Sequence, residues 1–167
     1  MFVQPETLTA QRMAGMPGGR VPLEWRVAPA PHGDLQFGEP LVALVGEALK
    51  GFHDVPRLAG GALASLRAVT GYQHEQRLAD DRLGRAYAVR AVLCQALARL
   101  AAQDAEGATL LEARFVRGKP IAHFEVEGYA RATLLRRSRQ ALQQLTWELW
   151  VLEGEAWAAE EDEHVST

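Results

Sequence analysis

The chain has 167 residues, of which 48% are hydrophobic and 23% charged, and its formal net charge is -3. This size and balance are typical of one globular domain with a real core. The single Cys94 excludes an internal disulfide, and no apolar run approaches the roughly 18 residues that a membrane span needs. Because alanine, leucine and arginine dominate, we predict an all-α protein. The lack of a disulfide, of a membrane span and of a signal pattern predicts a cytoplasmic protein without membrane contact.

Residues 1–39 contain five prolines and five glycines, a density of breakers that forbids a long helix. Within them, VPLEWRVA (21–28) alternates apolar and polar residues as a short strand or extended arm would. We interpret residues 1–39 as an irregular Pro/Gly-rich arm that lies across the body or a partner. A disordered leader is the alternative.

Residues 40–104 read as a helical module of three helices. The first, PLVALVGEALKGF, places an apolar stripe on one face: Leu41, Leu44, Val45, Ala48, Leu49 and Phe52. The second follows Asp54 and carries its own stripe: Leu58, Ala62, Leu66 and Val69. The third runs roughly from Leu83 to Ala102 with apolar positions on more than one face, Tyr87 included, so we expect it to be the most buried, with Cys94 inside.

Residues 105–152 read as a helix-turn-helix module. A helix at ATLLEARFV ends at the RGKP turn, the short helix PIAHFEVE follows, and Gly128 separates it from a long helix over about Arg131 to Leu152. A short helix, a glycine-containing turn and a longer helix are the pattern of that motif. The remaining residues, 153–167, have six acidic side chains and no lysine or arginine, which predicts a solvated acidic tail.

Positive charge is concentrated in this second module. Residues 108–145 hold three acidic residues and seven basic ones: Arg114, Arg117, Lys119, Arg131, Arg136, Arg137 and Arg139. The segment is therefore +4 within a chain of -3, and acidic residues are absent from 128 to 147. This segregation favours a local anionic partner. A solvated helix face is the alternative.

A helical wheel of the long helix separates two faces at about 100° per residue. One narrow stripe is predicted as the buried seam: Leu135, Ser138, Leu142, Leu145, Leu149 and Leu152. The opposite face holds side chains that bond phosphates and base edges: Thr133, Arg136, Arg137, Gln140 and Gln144. Trp147 and Val151 also fall on the outward side, with Trp150 at its edge, so we expect residues 40–104, the arm or a second subunit to cover them.

The stretch LLEARFVRGKPIAHFEVEGYARATLLRRSRQALQQL resembles the DNA-binding module shared by sigma-factor region four and phage late-gene regulators of the ArpU and RinA type. The matching positions are the two turns, the helix start and the closing seam: Phe115, Val116, Gly118, Gly128, Thr133, Ala141, Leu142 and Leu145. The pattern departs from the module where a serine commonly opens the recognition helix, since Ala130 or Arg131 stands there. The resemblance implies a helix-turn-helix fold and transcription regulation on DNA.

We therefore predict a DNA-binding transcription regulator that acts on duplex DNA as a homodimer. Arg131, Arg136 and Arg137 would contact phosphates and bases, and Thr133 and Gln140 would read bases. Arg117 and Lys119, in the preceding turn, would clamp backbone phosphates. The alternative is an interaction protein that binds RNA polymerase or another protein through Trp147, Trp150 and Val151.

Enzymatic motifs are missing from the sequence. GMPGGR (15–20) and RGKP (117–120) both fail the phosphate-loop pattern, and one cysteine with five scattered histidines gives no metal-ligand spacing. We predict no catalytic residues, no metal and no cofactor.

Overall fold

The computed structural model describes residues 37–126 and 128–166, and within these ranges the chain forms helices and no strand. We number the helices α1 (Glu39–Lys50), α2 (Val55–Ala59), α3 (Arg67–Glu75), α4 (Arg82–Gln103), α5 (Ala105–Leu111), α6 (Ile121–Val126) and α7 (Arg131–Val165). A 3-10 turn, Ala62–Ser65, precedes α3, and a π-helical turn, Glu112–Val116, extends α5. The all-α prediction is confirmed for the described residues, whereas the predicted strand at 21–28 lies outside them.

The first predicted helix corresponds to α1, whose inward residues include Leu41, Val45 and Leu49. The second predicted helix is wrong as one unit, because the chain breaks at Gly60 and Gly61 into α2, the 3-10 turn and α3. Two consecutive glycines disfavour helix continuation, since each loses more backbone freedom than other residues do.

Helix α4 runs through the middle of the bundle and packs against α2, α3, α5 and α7. Its buried side includes Val89, Val92 and Leu93. The predicted burial of Tyr87 and Cys94 is wrong: Tyr87 is 55% exposed and Cys94 is exposed. Apolar residues of α4 lie all around its circumference, but the helices packed against it leave one side exposed to solvent. Tyr87 and Cys94 lie on that side.

One core crosses the predicted boundary between 104 and 105. Its buried residues come from α1 to α5 and from α7, and Leu49, Leu111 and Leu145 belong to the same cluster. The segment QDAEG (103–107) at this boundary is mostly helical. Only Asp104 separates α4 from α5, and its carboxylate accepts a 2.9 Å hydrogen bond from the amide of Gly107 to cap α5.

Helix α7 has 35 residues, which corresponds to about 52 Å of helix. The predicted end at Leu152 is wrong, because the helix continues through the residues expected to form a solvated tail. Glu153 is only 5% exposed. Its carboxylate accepts hydrogen bonds from the backbone amides of Arg67 and Ala68, both at 2.9 Å, and so caps α3 from another helix.

Ion pairs extend this attachment further along α7: Glu155 pairs with Arg99 and Glu160 with Arg67. Residues 161–166 are exposed, as a solvated tail would be. No helix in the described part of the chain combines the length and hydrophobicity needed to cross a membrane.

Candidate nucleic-acid interface

Two glycine turns lead into the basic part of α7. Gly118 has φ +68° and Gly128 has φ +95°, backbone conformations that favour glycine and match the two breaks predicted from the sequence. After the π-helical turn, the amide of Arg117 donates to the carbonyl of Glu112 at 3.0 Å and that of Lys119 donates to the carbonyl of Ala113 at 2.9 Å. The chain order is therefore α5, turn, short α6, turn, long α7.

The buried side of α7 differs from the predicted seam. Leu134 is 5% exposed and lies inside with Ser138, Ala141 and Leu145, whereas Leu135 is 43% exposed. The predicted burial of Leu135 is therefore wrong, and the seam over the first turns is rotated by roughly 40° on the helical wheel. The close approach of α5 explains this rotation: a Cβ added at Gly107 would lie 3.1 Å from that of Ala141.

This rotation changes where the predicted base-reading residues lie. Gln140 is exposed, as expected, but Thr133 is half-buried and Arg137 forms an ion pair with Glu106 of α5. Gln144, expected on the outward face, is half-buried, and its Oε1 is buried with no hydrogen-bond partner in the described structure. The side of α7 that faces away from α5 instead presents Arg136, Arg139 and Gln140.

Most arginines in the described part of the chain have a side-chain partner, and three of the five without one among the described residues lie together in the first three turns of α7. Arg57, Arg67, Arg85, Arg99 and Arg117 each pair with a carboxylate. Arg90 donates to the carbonyl of Phe52, and Arg114 lies over the ring of Phe115 with its pKa lowered by burial. By contrast, Arg131, Arg136 and Arg139 are exposed, and no carboxylate of the described residues pairs with them. Sequence reasoning counted Arg139 in the cluster but did not assign it to the site.

The N-terminus of α7 adds to this positive surface. Ala130 provides no side-chain cap, and the first turn contains no acidic residue. The helix macrodipole places partial positive charge at this end, so an arginine near it destabilises the helix slightly. The arginine and the macrodipole together attract an anionic ligand.

The other two predicted phosphate contacts lie in the turn between α5 and α6. Arg117 is exposed and its guanidinium is 3.9 Å from the carboxylate of Glu112, a surface pair that salt and solvent screen easily. Lys119 is half-buried. This turn therefore presents cationic side chains on a different element from α7.

Trp147, Trp150 and Val151, predicted on the outward side of the long helix, are at least partly buried by packing within the chain. Trp147 is 3% exposed, and the Phe37 ring packs edge-on against it with centroids 5.1 Å apart. Trp150 is 6.3 Å from the same Phe37 ring, and Val151 is half-buried. Residues 40–104, the arm or a second subunit were expected to cover this surface. In the described residues, Phe37 of the same chain packs against it.

The described residues thus define an all-α bundle with a basic face at the start of its longest helix. They contain no group of three or more histidine, cysteine or acidic side chains placed to hold a metal ion. A scan against protein-family models gave no match, and searches of curated proteins and of solved structures gave no significant match either.

Proposed function

We propose that the protein is a DNA-binding transcription regulator that contacts duplex DNA with the first three turns of α7. The observation that carries this proposal is the set of exposed arginines, Arg131, Arg136 and Arg139, which pair with no carboxylate of the described residues and lie at a helix start without acidic residues. Among the other arginines of the described residues, six of ten pair with a carboxylate, so the general arginine content of this part of the chain does not explain the group. Phosphate is the anion that repeated exposed arginines along one helix suit best.

The elements around α7 support the same proposal. Helix α5, the Gly118 turn, α6, the Gly128 turn and α7 follow one another as the parts of a helix-turn-helix would. In this arrangement Arg131 and Arg136 bind phosphates, and Gln140 reads a base edge. Arg117 and Lys119 would hold the backbone from the preceding turn. Thr133, half-buried beside the seam, is the least accessible of the predicted readers.

A homodimer belongs to this proposal, because one short module contacts few base pairs and rarely provides enough affinity alone. Two copies would place two α7 helices on successive half-sites. The number of copies bound to one duplex is measurable by sedimentation.

The alternative, an interaction protein for RNA polymerase or another protein, depends on Trp147, Trp150 and Val151 being available as anchors. The described packing of Trp147 and Trp150 against Phe37 argues against that use. Gln140 and Arg136 remain exposed. The accessible side chains therefore favour nucleic acid.

Fluorescence-anisotropy titration of labelled duplex DNA at about 50 mM salt tests the proposal. Arg136→Ala is expected to weaken binding several-fold because it removes a phosphate contact. Arg82→Ala is the matched control: it also removes one exposed arginine that has no partner among the described residues, at the first position of α4, and is expected to leave affinity unchanged. Failure of the folded wild-type protein to bind would contradict the proposal and direct the next test to capture of RNA polymerase.

A further inference from the structure

Contacts with α5 determine which side of α7 can face a ligand. Gly107 of α5 approaches Ala141 so closely that an added Cβ would be 3.1 Å away, and Glu106 on the same turn of α5 pairs with Arg137. With Leu134 also buried, α7 cannot rotate about its axis without losing these contacts. Arg137 is thereby held toward α5 and its charge is neutralised there.

The side of α7 opposite these contacts carries a second set of polar residues. Arg136, Arg139, Gln140 and Gln143 occur at spacings of three, four and seven, which places them on one face. The first three are exposed and Gln143 is half-buried. From Arg136 to Gln143 the helix rises about 10 Å, close to three base-pair steps of B-form DNA.

We infer that Arg136, Arg139, Gln140 and Gln143 form the face of α7 that enters the major groove of B-form DNA, with Arg139 and Gln143 as specificity-determining residues and Arg137 outside the groove. This inference rests on the proposed function. It adds which face of α7 contacts the base edges, and that the duplex is B-form DNA. Arginine pairs with guanine O6 and N7, and glutamine with adenine N6 and N7. The preferred site therefore contains guanine and adenine within about three successive base pairs.

The form of the duplex follows from groove dimensions. A helix with its side chains fits the major groove of B-form DNA, which is about 12 Å wide. The major groove of A-form RNA is deep and narrow, and side chains cannot read it. Duplex RNA of the same sequence should therefore compete weakly, and its binding should not depend on Arg139.

Arg139→Ala and Arg137→Ala form a matched pair for the test, because each removes one positive charge and they lie two residues apart on α7. Wild type and both variants are titrated with duplex DNA selected by the wild-type protein from a randomised library. Arg139→Ala is expected to weaken binding about ten-fold or more and to lose the preference for one guanine. Arg137→Ala is expected to stay within about two-fold of wild type, since Glu106 already neutralises that side chain.

The outcomes separate the inference from the proposed function. If DNA binds and Arg137→Ala, not Arg139→Ala, loses affinity and base preference, the reading face is wrong while DNA binding stands. If Gln143→Ala leaves the selected sequence unchanged, Gln143 has no role in specificity. Tighter binding of duplex RNA than of duplex DNA would also overturn the inference. Absence of binding to either nucleic acid would overturn both proposals.

Discussion

Replacement of Glu153 by glutamine is the sharpest test of how α7 is attached to the rest of the bundle. The carboxylate is 5% exposed and accepts three hydrogen bonds: from the amides of Arg67 and Ala68 at 2.9 Å and from the indole of Trp157 at 3.1 Å. The N-cap residue of α3, Leu66, offers no side-chain acceptor. Glu153 therefore supplies the cap that the local sequence lacks.

The expected loss follows from these contacts. Glutamine keeps one oxygen, so at least one backbone amide of α3 loses its partner and faces an NH2 group instead. A hydrogen bond to a charged group contributes about 1.5–3 kcal/mol, and a negative charge at a helix N-terminus contributes about 0.3–1 kcal/mol. Solvent reaches the exposed Arg67 and can replace part of the hydrogen bonding that its backbone amide loses. We therefore expect Glu153→Gln to lower the free energy of unfolding by about 2 kcal/mol.

Urea denaturation followed by circular dichroism measures this change, with Glu155→Gln as the control. Glu155 is two residues further along α7 and loses the same charge, but its pair with Arg99 is solvent-exposed and contributes less than about 1 kcal/mol. Equal losses for the two variants would refute the capping role of Glu153. A changed m-value would mean that the compactness of the native or denatured state has changed or that unfolding is no longer two-state, and the free energies of the two variants would then not be comparable.

Three further predictions concern single positions. Leu134→Ala should lower the free energy of unfolding by about 2–4 kcal/mol because Leu134 is buried, and Leu135→Ala should lower it by less than about 1 kcal/mol. Urea denaturation measures both changes. The reverse order would mean that the seam predicted from the sequence is correct. In thermal unfolding, Gly71→Ala should raise the Tm, because nothing lies near an added Cβ there and alanine favours helix. Gly84→Ala should lower the Tm, because the new Cβ would lie 1.9 Å from a backbone oxygen. Tm shifts of the same sign and size would contradict the packing described. Although Cys94 is exposed as a residue, partial desolvation and then the nearby carboxylate of Glu112 raise the pKa of its thiol. Its alkylation should therefore require a higher pH than that of a free thiol, and stability should fall as pH rises through the thiol's ordinary range. A pH–rate profile that matches an unperturbed thiol would contradict this.

Features set by neighbouring residues could be predicted from the sequence. The apolar repeat of α1, the cap at Asp54 and the breaks at Gly118 and Gly128 are local, and the structure has each of them at the expected place. Arg136 and Gln140 were also assigned correctly to an exposed face, because the helical wheel places both of them away from the apolar stripe.

Features set by distant contacts could not be predicted in the same way. Leu134 and Leu135 are adjacent leucines, and which of them is buried depends on how α7 packs against distant elements, including the approach of Gly107 to Ala141. Glu153 begins a strongly acidic stretch, and its burial depends on amide donors that lie 85 and 86 residues earlier in the chain. The outward position of Arg139 follows from the same rotation of α7.

The salt dependence of DNA binding tests the central claim most directly. The dissociation constant for duplex DNA is measured from about 50 to 200 mM salt for the wild type and for the Arg131→Ala/Arg136→Ala/Arg139→Ala variant. The wild type should show a steep log–log slope, and removal of the two phosphate contacts of Arg131 and Arg136 should reduce its magnitude by about 2, since Arg139 is assigned to a base edge. A shallow wild-type slope, or one that the folded triple variant retains, would contradict DNA binding through the start of α7.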